Sequence, residues 1–125
     1  MKHLIVCREY PPAPYPPGGI GSYTKHISRL LAESGDVVHV IAQRWEGAPA
    51  AIAESHGGKL IVHRVSPDDQ PIEGPHGTAD SEQSSFIVNS LANSDCPSQA
   101  FSWRVAALAE QLVTSEGIDL IEAPE

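Results

Sequence analysis

"REYPPAPYPPGGIGSY", residues 8–23, sets five prolines and then three glycines within four positions between a short apolar run and a segment of helical periodicity. A strand-to-helix link in a layered fold ordinarily takes about 2–6 residues. Proline fixes φ and stiffens the chain, whereas glycine lets another group come close to the backbone. The stretch reads as a rigid loop that delivers a glycine corner to the start of a helix.

Upstream, "HLIVC" (His3–Cys7) is apolar, β-branched at its centre and bounded by charge, the pattern of a strand buried on both faces. Downstream, Ile20, Tyr23, Ile27, Leu30 and Leu31 recur at i, i+3, i+7, i+10 and i+11, with Gly35 at the stop. That spacing predicts an amphipathic helix with those residues facing the core. "DVVHVIAQ" (36–43) and "KLIVHRV" (59–65) predict a second and a third strand, and "EGAPAAIAESHGG" (46–58) a short helix broken by its glycines. Residues 66–99 are rich in Ser, Asp, Asn, Gly and Pro; they read as a long excursion with a turn at 67–69 and one helix around Phe86, Ile87, Val88 and Leu91. Phe101, Val105, Leu108, Leu112 and Val113 then predict a second long helix ending at Gly117, and "IDLIEA" (118–123) a fourth strand. This order points to an α/β fold, a Rossmann-like, mostly parallel sheet with flanking helices. In such sheets ligands bind beyond the carboxyl ends of strands. The chain stops at such an end, so the expectation over residues 1–125 is one domain cut short.

The formal charge of the 125-residue chain is −8, and its eight Lys and Arg are scattered singly. No basic stripe exists to neutralise a phosphate backbone, which argues against nucleic acid as a partner. The apolar core of "MKHLIVCRE" is far too short for a signal peptide or a membrane span, and Cys7 and Cys96 stand far apart, so the expected setting is cytoplasmic with no transmembrane segment. The six histidines show no shared metal-ligand spacing; His39 and His63 lie inside predicted strands and read as hydrogen-bonded structural residues, with no metal expected.

Gly18, Gly19 and Gly21 stand where backbone N–H groups and the helix amino terminus would meet an anion. A dinucleotide site would need a third glycine where Thr24 stands, a tight turn in place of the proline-rich loop, and an acidic residue after the second strand, where Gln43 and Arg44 lie. A P-loop would need Lys-Ser or Lys-Thr after the glycines, and neither is present there.

Residues 1–43, "MKHLIVCREYPPAPYPPGGIGSYTKHISRLLAESGDVVHVIAQ", resemble the amino-terminal segment of GT-B glycosyltransferases, in particular the large retaining family four that uses nucleotide-sugar donors. Residues 101–125, "FSWRVAALAEQLVTSEGIDLIEAPE", resemble the same family's helix leading into "DVIEAPE". The resemblance implies the acceptor-side, amino-terminal domain of a two-domain enzyme, with Gly18, Gly19, Ile20 and Gly21 close to the donor diphosphate. Its partners would be a nucleotide sugar, as substrate rather than cofactor, and a sugar, lipid or small-molecule acceptor. The donor-binding domain and its paired glutamates are absent from these residues. The family's histidine beyond a strand end has no counterpart among Glu122, Ala123, Pro124 and Glu125, so the catalytic residues are not assigned.

Each candidate has a plainer role beside it. The loop is also readable as a stiff surface connection. Glu9 and Tyr10 either touch an acceptor or serve as a solvated carboxylate and a packing ring; Arg8 either approaches a phosphate or pairs with a carboxylate. Glu122 and Glu125 either orient a sugar hydroxyl or fray at the terminus, and Trp45 and Trp103 either pack or border the cleft. A stand-alone anion- or nucleotide-binding regulatory module, or an interaction domain, is the alternative to the transferase reading. The chain by itself is expected to lack activity and to self-associate through an uncovered edge or apolar face.

Overall fold

The amino-terminal apolar run forms the strand from which the sheet is built. In the computed structural model, which describes residues 1–12, 18–44, 51–66 and 98–123, β1 (Lys2–Val6) pairs in parallel with β2 (Val37–Gln43), from Lys2↔Val37 to Val6↔Ile41. On its other side β1 pairs in parallel with β5 (Leu120–Glu122), from His3↔Leu120 to Ile5↔Glu122. β3 (Ile52–Ser55) runs antiparallel to β4 (Leu60–Val65), and the mostly parallel sheet has the order β3-β4-β2-β1-β5. The chain divides into two units, Met1–Arg64 with Gly117–Glu125, and Val65–Glu116.

Of the segment expected to form a short helix (46–58), the described residues 51–58 instead supply β3 and a 3-10 turn, His56–Gly58. Helix propensity is a weak local preference, and pairing with the adjacent β4 overrides it for Ile52–Ser55. The glycines then reverse the chain: Gly57 and Gly58 both have positive φ.

α1 spans Gly19–Glu33. It ends where Gly35, at φ +103°, takes a left-handed conformation that suits glycine, and the Asp36 amide donates to the Leu31 carbonyl at 3.1 Å. The helix is as expected but its orientation is not. The residues buried are Gly21, Thr24, Ser28 and Ala32, whereas Ile20, Tyr23 and Leu30 are 39, 55 and 43% exposed. Only Ile27 and Leu31 of the predicted stripe pack against the core, from its margin. Periodicity locates the helix, but tertiary contacts select a neighbouring face of small residues.

That core joins Ile5 and Cys7 of β1 and its extension, Val38, Val40 and Ala42 of β2, and Leu60 and Val62 of β4, closed by Tyr10 and Ala32. The alternation puts these residues on one face of the sheet. Leu4, His39 and Ile41, of opposite parity, are buried too, so the central strands are covered on both faces. Burying each of the larger aliphatic side chains stabilises the fold by about 1.5–3 kcal/mol. His39 and His63 stack across β2 and β4, with Nδ1 of one 2.9 Å from Nε2 of the other.

α2 (Ser98–Glu116) belongs to the second unit; Phe101, Arg104, Val105, Leu108 and Leu112 are buried, while Val113, expected on the same face, is 40% exposed. Trp103 is also 40% exposed. The expected turn at 67–69, the helix around Phe86, and Trp45, Cys96 and Glu125 lie outside the described residues. Among those described, no helix is long and apolar enough to cross a membrane.

Asp36, which leads into β2, ties the amino-terminal edge of the sheet. His3 Nε2 donates to its Oδ2 at 2.9 Å, and the terminal ammonium of Met1 lies 3.4 Å from its Oδ1. These contacts, His3 foremost, hold the Asp36 carboxyl below its ordinary value against a smaller opposing effect of burial. A carboxylate with a depressed folded-state pKa stabilises above its unfolded value, about 4, and that contribution is lost as the pH falls through the lower folded value. Urea midpoints of the native chain are therefore expected to drop as the pH is lowered from about 5 to about 3, and Asp36→Asn to flatten that part of the profile.

Candidate functional site

Beyond the end of β1 the chain stays bound to β2 for two further contacts. The Cys7 amide donates to the Ile41 carbonyl at 2.9 Å, and the Gln43 amide to the Arg8 carbonyl at 3.3 Å. The Arg8 guanidinium then donates through Nε to Gln43 Oε1. Arg8, a candidate phosphate contact, is thus half-buried and engaged in joining the two strand ends. The Tyr10 amide donates back to the Cys7 carbonyl at 3.2 Å, and this turn sends the Tyr10 ring into the core at 6% exposure. Tyr10 thus packs against the core from the loop.

Arg64 holds the start of the proline-rich loop. Its guanidinium is buried, and Nη1 donates to the carbonyls of Tyr10, Pro12 and Gln43 at 3.2, 3.4 and 3.3 Å, while Nη2 donates to that of Pro11 at 2.6 Å. The Tyr10 ring lies 5.8 Å from the guanidinium carbon, within reach of a cation–π contact. Burial draws the Arg64 pKa down from its ordinary value, an effect opposed by Tyr10; an arginine starts so high that it stays protonated. No motif or spacing singles out Arg64. The signal that does is parity: Leu60, Val62 and Arg64 share one face of β4, so a charged residue stands on the buried side.

After the proline-rich segment, Gly18 caps α1 in extended conformation with no side-chain hydrogen bond to the helix, and the first turn carries no acidic residue. The helix start therefore keeps its partial positive charge without a side-chain cap. Glu9 is the nearest acid: its Oε2 stands 3.4 Å from the point a Gly18 Cβ would occupy. The three glycines differ in their surroundings. A Cβ on Gly21 would lie 2.6 Å from the Glu9 carbonyl oxygen, so the close approach there is made by the protein's own backbone. A Cβ on Gly19 meets nothing within 4 Å. Ile20 is 39% exposed beside it.

β1 and β5 are neighbours, and the chain leaves β1 towards β2 on the opposite side, so the sheet changes direction of winding between β1 and β5. In open α/β sheets such a switch point, at the carboxyl ends of the strands, forms a ligand crevice. Glu9, the glycine corner and the exposed Glu122, in register with Ile5, belong to that end of the sheet. Comparison with protein-family models, curated proteins and solved structures finds no match for this chain.

Two substitution series separate the parts of this site. Gly21→Ala is expected to destabilise by on the order of 1–3 kcal/mol, because the Glu9 carbonyl cannot retreat without moving the loop, whereas Gly19→Ala should change stability by less than about 0.5 kcal/mol. Denaturant unfolding measures both. Arg64→Met, which keeps much of the stem and deletes the donors, should cost at least about 2 kcal/mol by the same measurement. Arg64→Lys should recover little of it, since an ammonium lacks the planar fork.

Proposed function

We propose that this chain is the acceptor-side, amino-terminal domain of a glycosyltransferase that moves a sugar from a nucleotide-sugar donor, with the glycine corner as the surface that meets the donor diphosphate. The observation that carries this reading is the helix start at Gly18–Gly21: without a side-chain cap bond at Gly18, open at Gly19 among the described residues, and set at the carboxyl end of β1 beside the switch point. The likeness of residues 1–43 and 101–125 to retaining GT-B enzymes supports the same assignment.

On this reading the departing nucleoside diphosphate is stabilised from two sides. The corner offers main-chain N–H groups and the positive end of α1, which are preorganised and need no rearrangement as charge develops. Groups on a second, donor-binding domain face it across the cleft. Glu122 is available at the acceptor side to orient a hydroxyl. One side of the cleft alone does not supply the differential stabilisation of the transition state that catalysis requires.

The test uses the native chain. Uridine diphosphate glucose and guanosine diphosphate mannose, titrated separately to millimolar concentration, are expected to move the amide resonances of Gly18–Ser22 in a saturable way with at least one of them, and sugar transfer to be absent. In a polypeptide that joins this chain to a donor domain, Gly19→Val should lower turnover by about tenfold, roughly 1.4 kcal/mol of transition-state binding, without loss of folding. Unmoved amides at the corner with both donors would overturn its assignment, and transfer by the chain alone would overturn the two-domain reading.

A further inference from the structure

The flank of α1 turned towards β4 borders a pocket of about 460 Å³ that lies wholly within the first unit. Lys25, His26 and Arg29 line it from α1, and His56 with Ser55 from the β3–β4 turn. These α1 residues follow Ser22 at i+3, i+4 and i+7, so they form one face of the helix, distinct both from the small buried face and from the exposed Ile20, Tyr23 and Leu30. The apolar wall is made by Tyr10 and Leu60, which are buried at 6 and 4% exposure. Two of the chain's eight Lys and Arg and two of its six His thus converge on one concavity of a protein whose net charge is −8.

We propose that this pocket binds a small, soluble phosphate monoester, the phosphate held by Lys25 and Arg29 and the organic body resting against Tyr10 and Leu60. The proposal does not depend on the transferase reading. The pocket's size falls within the range of ligand pockets, about 300–1,000 Å³, and exceeds what a phosphate group alone fills, which leaves room for the body. The donors suit the head group: a guanidinium fork and an ammonium supply the charge, with imidazole nitrogens and the Ser22 and Ser55 hydroxyls available for further hydrogen bonds.

The existing contacts leave these groups free to receive an anion. Among the described residues no carboxylate pairs with the Lys25 ammonium. Glu33 is the acid nearest the others; its Oε1 lies 3.8 Å both from Arg29 Nε and from His56 Nε2. Glu33 and Arg29 are about half exposed, and ion pairs of that length and exposure contribute little and are readily exchanged. Arg29 also lies 3.5 Å from His26 Nδ1, so the two side chains already share the pocket wall. The apolar wall is firmer: Tyr10 is anchored through Arg64, and Leu60 belongs to the core.

The experiment is a titration of the native chain with phenyl phosphate and, separately, inorganic phosphate, monitored through amide resonances of residues 22–29 and 55–60 at low salt. Saturable shifts at both segments are expected, with phenyl phosphate binding at least about threefold more tightly because only it covers the apolar wall. The double variant Lys25→Gln/Arg29→Gln should weaken phenyl phosphate by about fivefold or more, whereas Lys59→Gln, which removes a charge next to Leu60 in sequence but outside the pocket lining, should leave it within about twofold. All these side chains are exposed, and an unchanged spectrum of the core residues checks that each variant is folded. Absence of saturation, equal weakening by Lys59→Gln, or equal affinity for the two phosphates would overturn the proposal. Shifts confined to Gly18–Gly21 would overturn it too, since they would assign the anion to the glycine corner.

Discussion

Arg64 carries a full positive charge in the interior of the first unit, and the four carbonyls around it are what make that position tolerable. Removing a guanidinium from water is costly unless its donors are satisfied, and carbonyl dipoles satisfy them without an opposing charge. The same bonds work in the other direction. Tyr10, Pro11 and Pro12 leave the sheet with carbonyls that no strand partner takes, and Gln43 ends β2; Arg64 gathers all of them. The loop after β1 therefore has a fixed origin even before its prolines restrict it further. A buried charge and an irregular backbone, each unfavourable alone, offset one another.

That origin determines the position of α1. Glu9, one residue before the clamped segment, presents its carbonyl to Gly21 at a distance that admits no Cβ. A helix that starts so close to the loop must turn a narrow face inward, and Thr24, Ser28 and Ala32 continue the row at one-turn intervals. Close packing thereby replaces the larger apolar contacts suggested by Ile20, Tyr23 and Leu30, which remain exposed. It also leaves the adjacent flank, with Lys25 and Arg29, to line the pocket beside Leu60.

The elements with long, regular patterns are legible in the sequence. β1, β2, β4, α1 and α2 all lie where apolar runs and helical periods place them, within about a residue or two at their clearer ends, because such patterns report local structure directly. β3 is not legible, since its four residues, Ile52–Ser55, carry no alternation of their own and acquire their conformation from the strand beside them. The rotation of α1 is hidden for a related reason: periodicity defines a stripe, but steric fit against Glu9 chooses which stripe faces the sheet. At the candidate site the glycines are readable as one group. Their division into Gly21, pressed against the backbone, and Gly19, open to solvent, depends on distances that no spacing encodes. Arg64 is visible only as a break in the polarity of one strand face.

The corner's electrostatics carry one further constraint. α1 begins without a capping side chain, and Glu9, beside Gly18, brings the nearest negative charge to its positive end. A carboxylate beside the positive end of a helix stabilises it modestly, and here it stands at Gly18 while Gly19 stays open. The carboxylate is carried on a flexible side chain, whereas its backbone is fixed through Gly21 and the neighbouring Tyr10. The side chain can therefore swing away while the amides stay in place, so a rigid donor surface and a movable negative charge are built from adjacent atoms of the same segment.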